Sequence, residues 1–154
     1  MRGSVGGMAR IPRCALPDGV YHITSRGVEK RLIYRDDDDR RFFLRVLASV
    51  FRRFGWRCHA LCLMGNHYHL VVDTTVARLS GGMHVLNGRY AAEFNRKYDR
   101  YGHLFGDRFG TRLIRDETHL ASACAYVVLN PVRAGLCATA AEWPWSWSRY
   151  GLDV

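Results

Sequence analysis

Two histidines one residue apart, His67 and His69, sit in the apolar, β-branched run HYHLVVDT. In a strand the side chains at i and i+2 point the same way, so the two imidazoles share one face while Tyr68, Leu70 and Val72 take the other. Two neutral imidazoles so spaced can bind one divalent cation, although the same triplet also occurs as plain strand structure and the motif alone does not choose. A second pair, Tyr126 and Asn130, lies four residues apart in a helical pattern and so shares a helix surface. With about 100° of turn per residue, the apolar set Leu120, Cys124, Val127 and Val128 points about 130° away from Tyr126. The phenol therefore faces away from the core, where it can approach something bound to the sheet. Asn130, just before Pro131, reads either as a polar partner of that phenol or as a C-terminal helix cap.

The elements that must carry these residues follow from periodicity. GVYHITSR alternates with β-formers and reads as a strand over 19–26. Phe42, Phe43, Val46, Leu47, Val50, Phe51 and Phe54 form the stripe of an amphipathic helix over 37–54, stopped by Gly55. The aspartates 36–39 at its start invite a metal reading, but carboxylates at a helix N-terminus cap its amides and complement its dipole, and capping is the expectation. Apolar runs over 56–64 and 67–74 joined by Gly65-Asn66 predict a hairpin. A helix over 77–100 carries Leu79, Met83, Leu86, Tyr90, Phe94 and Tyr98 on one stripe, with Gly81 and Gly82 weakening its first turns. A short strand over 111–115 and a helix over 116–130, ended by Pro131, complete the order β-α-β-β-α-β plus a helix. That order predicts an α+β, ferredoxin-like antiparallel sheet with helices on one face and an extra C-terminal helix carrying the tyrosine.

A chain of 154 residues with 48% apolar content has room for one domain, expected over 8–154. Residues 1–7 (MRGSVGG) read as a disordered start-site extension or vector remnant. The chain lacks a signal sequence and any eighteen-residue apolar stretch, so no membrane role is expected and the cytoplasm is the default location. The cysteines Cys14, Cys58, Cys62, Cys124 and Cys137 contain no CxxC pair and read as reduced core residues, although a zinc site drawing on Cys58, His59 and Cys62 is conceivable. The formal charge of +9 is carried almost wholly by arginine, whose planar fork grips phosphate or guanine. A nucleic-acid partner follows naturally, and arginine-rich codon usage explains the same composition.

Several blocks in one order resemble the single-tyrosine HUH transposases, and within them the REP-associated tyrosine transposases (RAYTs). These are GVYHITSRG, FGWRCHALCLMGNHYHLVV, LNGRYAAEFNRKY, GHLFGDRF, YVVLNPVRAGL and WPWSW, spread from residue 8 to residue 150. The resemblance implies that His67 and His69 are the metal-binding pair, Tyr126 the nucleophile and Asn130 a polar residue of the metal site. Gly65 departs from the proline usual in the family, which loosens a turn without touching a reacting group. Some relatives continue into a further C-terminal region, and this chain stops soon after the family core.

The function so implied is a metal-dependent endonuclease and strand-transferase acting on hairpin or palindromic single-stranded DNA, with a 5′-phosphotyrosine intermediate and magnesium or manganese as the ion. Arg108, Arg112 and Arg115 precede the tyrosine's helix and Arg133 follows it, and all four are candidate DNA contacts. Arg40, Arg41, Arg45, Arg52 and Arg53 read equally as DNA contacts or as a solvated helix face. Trp143, Trp145 and Trp147 are expected to pack the C-terminus onto the domain rather than stack on bases. A nucleoid-associated cytoplasmic location follows, and homodimer and monomer are both left open. Two other readings are a hairpin-binding module that does not cut and a relaxase- or replication-initiator-type nickase.

Overall fold

The computed structural model describes residues 16–154, so the 1–7 extension and Cys14 lie outside the described residues. Strand β1 (Gly19–Arg26) buries Tyr21 and Ile23 on one side and turns Val20, His22 and Thr24 to the other. Helix α1 (Asp37–Phe54) opens on a capping box in which the Asp36 and Asp39 side chains accept from each other's backbone N–H, and it closes on Gly55 at φ 64. The aspartate run is thus a cap, and Asp39 also receives Lys97 Nζ at 2.8 Å and the Tyr98 hydroxyl at 2.7 Å.

Strands β2 (Arg57–Leu63) and β3 (His67–Thr74) form the expected hairpin, followed by helix α2 (Val76–Lys97). Strand β4 (Gly110–Ile114) and helix α3 (Glu117–Val128) come next. The sheet is antiparallel with order β4-β1-β3-β2 and a further edge strand, β5 (Ser146–Ser148), against β2. Tyr21, Ile23, Tyr68, Leu70 and Val72 pack on Phe43, Leu47, Leu79, Met83 and Tyr90 of α1 and α2. On the opposite face Ala60, Cys62, Val71 and Ile114 pack on Leu120, Cys124 and Val127 of α3.

Three features differ from the pattern reading. Strand β5 is too short to carry a periodicity signal, and its edge pairing is what fixes the tryptophan segment: Trp143 Nε1 donates to Leu63 O at 3.0 Å, and Leu63 N donates to Trp145 O at 2.8 Å. Arg40 is no solvated residue, because its guanidinium lies beside the Trp143 and Trp145 rings and donates to Met64 O at 3.0 Å. Pro131 does more than end α3: it occupies the first turn of a separate short helix, α4 (Asn130–Arg133), where its missing N–H costs no helical bond.

Gly81 and Gly82 cost helix propensity, yet they permit close approach. A Cβ at Gly82 would stand 2.3 Å from Trp56, and one at Gly81 2.8 Å from Phe54. Among the described residues, no helix is long and apolar enough to cross a membrane.

Candidate active site

Strand β3 supplies His67 and His69, and its other face holds it rigid. Between the two histidines Tyr68 is fully buried, its hydroxyl donating to Asn87 Oδ1 on α2 at 2.6 Å, while Asn87 Nδ2 donates to Ser25 on β1 at 3.1 Å. The two imidazole centroids lie 5.0 Å apart. Asn66 Nδ2 donates to Lys30 O at 3.1 Å, which fixes its amide so that Oδ1 faces His67 Nδ1 at 2.6 Å. An amide oxygen only accepts, so His67 Nδ1 carries the proton and Nε2 the lone pair.

His69 is buried, with Nδ1 2.9 Å from His22 Nε2 on β1 and Nε2 buried without a partner among the described residues. If Nδ1–H donates to His22, the orphaned Nε2 presents a lone pair, as a metal-binding imidazole requires. Burial pushes the histidines below their usual range, to about 3 for His69 and about 4 for His67 and His22. The positive neighbours Arg133 and Arg26 at His69, Arg26 at His67 and Arg112 at His22 act in the same direction. All three rings are neutral at pH 7, so the chemistry of the donor pair fits a divalent cation. Among the described residues no group of three or more His, Cys, Asp and Glu could hold a metal by itself.

Helix α3 carries Tyr126 on its half-exposed side, away from Leu120, Cys124 and Val127. The Tyr126 ring stands 6.2 Å from His69 and 6.0 Å from His22, edge-on to both. Arg133 lies 3.9 Å from the centroid of the same ring and donates to Tyr126 O at 2.6 Å. A cavity of about 540 Å³ opens beside the phenol, lined by His22, His69, Thr24, Thr111, Arg112, His119, Ser122 and Tyr126, with Gly110 and Ala123.

The structure thus brings His69, Tyr126 and Arg133 together, with His67 beside His69 but not among the residues that line the cavity, and Arg112 lines the cavity. Arg108 lines a neighbouring groove with Arg26 and Lys30, and Arg115 is exposed before α3. Asn130 is not among the cavity's lining residues: its Nδ2 donates to Tyr126 O at 3.3 Å and Val127 O at 3.4 Å, the capping geometry that the sequence left open. In the Cys58, His59 and Cys62 group, His59 Nδ1 meets Arg149 at 3.0 Å, Cys62 lies in the core, and burial pushes both thiols up to about 12. Pattern reading missed His22, His119 and Ser122. A signal existed for the last two, which precede Tyr126 by seven and four residues and so share its helix face; His22 needed the strand pairing.

A family model described as "Transposase IS200 like" matches residues 16–130. A Haemophilus influenzae protein assigned as a REP-associated tyrosine transposase is 26% identical over 98 residues, 56% of each chain, so the match spans little more than half of that relative. Among solved structures, a REP-associated tyrosine transposase bound to a REP hairpin superposes with a TM-score of 0.68 at 16% identity, over 90% of this chain and 82% of that one. A Deinococcus radiodurans protein assigned as a transposase gives 0.52 at 15% identity, over 79% of this chain and 92% of that one.

Proposed function

The chain belongs to the IS200-like transposase family, whose model covers 16–130, and on that premise we propose that it cuts and rejoins single-stranded DNA beside a palindromic hairpin through a covalent bond to Tyr126. The observation that carries this reading is the approach of the Tyr126 ring to within 6.2 Å of His69 in one chain, on the half-exposed side of α3. The RAYT-like relatives and the hairpin in one of them give the substrate class proposed here.

A phenol with an ordinary pKa of about 10 is a weak nucleophile at neutral pH and needs a polarised target. A divalent cation held by His67 and His69, magnesium or manganese, would supply Lewis acidity at a non-bridging oxygen of the scissile phosphate. Tyr126 Oη then bonds to phosphorus, the P–O3′ bond breaks, the tyrosine proton passes to solvent and the departing oxygen gains one as a 3′-hydroxyl. Because the phosphoester is retained on Tyr126, attack by another 3′-hydroxyl reverses the step without ATP. Arg133 holds the phenol ring by cation–π contact and brings positive charge to the site. Asn130 acts at second hand in this scheme, fixing the end of α3 behind Tyr126; a direct role at the metal would need its amide to leave the helix carbonyls. Arg108, Arg112 and Arg115 supply phosphate contacts, so binding weakens steeply with salt.

Incubation of 3′-labelled hairpin DNA carrying a single-stranded flank with the protein and manganese tests this, because the 3′-side fragment is the one left on Tyr126. The wild type should give a detergent-stable protein–DNA adduct, and Tyr126→Phe should give none while binding the hairpin within about twofold. An adduct persisting in the variant refutes Tyr126 as nucleophile; binding without any adduct in the wild type leaves a hairpin-binding module.

A further inference from the structure

The cavity beside Tyr126 extends beyond the histidines towards β4, and its outer half has a distinct character. Arg112 and Thr111 come from β4, and His119 and Ser122 from α3, two turns and one turn before Tyr126 respectively. No carboxylate lines the cavity, and Arg112 forms no ion pair among the described residues. The nearby acids are engaged elsewhere: Asp116 accepts from His119 N at 2.8 Å and Glu117 from the Tyr150 hydroxyl at 3.4 Å. His119 Nδ1 accepts from Arg115 N at 3.2 Å, so the neutral ring carries its proton on Nε2 as a donor. A guanidinium, an imidazole N–H and two hydroxyls without a competing carboxylate form a receptor for a phosphodiester.

The floor is kept open by Gly110, where a Cβ would stand 2.8 Å from Thr24 Oγ1. The full cavity volume of about 540 Å³ exceeds what the reacting phosphate alone needs and falls in the range of small-ligand sites.

We infer that Arg112, Thr111, His119 and Ser122 form a subsite for the nucleotide adjoining the scissile phosphate, gripping its phosphodiester and setting the strand's register against Tyr126. This rests on the reading of Tyr126 as nucleophile for its orientation, but the subsite itself is testable without cleavage. A single-stranded DNA is the occupant because only a continuous strand places one phosphodiester here and the next at Tyr126.

The test uses the full chain with Tyr126→Phe, so that nothing is cut, and hairpin oligonucleotides whose single-stranded flank is shortened one nucleotide at a time. Binding is followed by fluorescence anisotropy. Ser122 is exposed on α3, so Ser122→Glu places a charge in the subsite with little demand on folding, and Ser122→Gln is the uncharged control. Ser122→Glu should weaken the long-flank complex at least tenfold and Ser122→Gln within twofold, and the difference should vanish in one step at a defined flank length. Arg112→Gln should lower the slope of log K against log salt by about 0.7, the value of one single-strand phosphate contact. Equal behaviour of the Glu and Gln variants, or a Glu effect of the same size at every length, overturns the subsite. Failure of the wild type to form an adduct, with the length step intact, would instead overturn the nuclease reading and leave the subsite standing.

Discussion

His22 is the residue that most changes the picture of the proposed metal pair. HxH alternation alone puts His67 and His69 on one face, because a period of two is local to one strand, but it does not choose between a metal pair and plain strand structure. The imidazole that faces His69 Nδ1 comes from a neighbouring strand at a register of Thr24 opposite His69, and no local pattern encodes that pairing. Outer hydrogen bonds of this kind typically matter 10–100-fold for metal affinity. His22→Ala should therefore weaken manganese binding by about 10–100-fold in calorimetry, while hairpin binding without metal changes little. His22→Gln, whose amide oxygen can accept from Nδ1–H, should recover part of the loss. Equal manganese affinity in His22→Ala and wild type would show that His22 does not orient His69. Asn130 marks the opposite limit, since its cap and metal readings carry the same sequence signal and only the helix end separates their geometry.

At the scale of elements, long amphipathic patterns were readable nearly to the residue: α1 runs Asp37–Phe54 as its stripe and caps imply. Helix α2 ends at Lys97 rather than 100, and β4 begins one residue early, because end positions depend on capping contacts and partner strands rather than on period. Strand β5, three residues long, is held by its neighbour β2. The glycines of α2 separate packing from propensity. Gly82→Ala puts a methyl 2.3 Å from Trp56 and should destabilise by about 1–3 kcal/mol through overpacking. Gly88, exposed in the same helix with nothing within 4 Å of a built Cβ, should gain about 0.5–1 kcal/mol as Gly88→Ala. Thermal unfolding of the two variants checks both signs; a stabilised Gly82→Ala would mean that α2 and Trp56 are less tightly apposed.

Across the whole molecule, the sheet divides its labour: α1 and α2 cover one face with large aromatics, and α3 covers only part of the other, leaving the histidine side open beside Tyr126. The layered order was legible from periodicity, whereas which helix shares a face with the histidines was set by long-range contacts. Burying neutral imidazoles has a consequence for stability. Their folded pKa values, about 3 to 4, lie below the unfolded value of about 6.5, so the unfolded chain binds more protons in that window. Stability is complete above pH 6.5 and is lost as pH falls towards 4, at about 1.4 kcal/mol per pH unit for a buried group such as His69. The melting temperature at pH 5 should lie roughly 4–8 °C below that at pH 7, and a flat profile would contradict neutral burial.

The most direct measurement is peptide mapping of the covalent adduct. After reaction with manganese and a hairpin oligonucleotide, nuclease trimming and trypsin digestion, residues 116–133 form a peptide whose one tyrosine is Tyr126. The account predicts that the residual nucleotide mass sits on this peptide, esterified to Tyr126; nucleotide attached to any other peptide would contradict it.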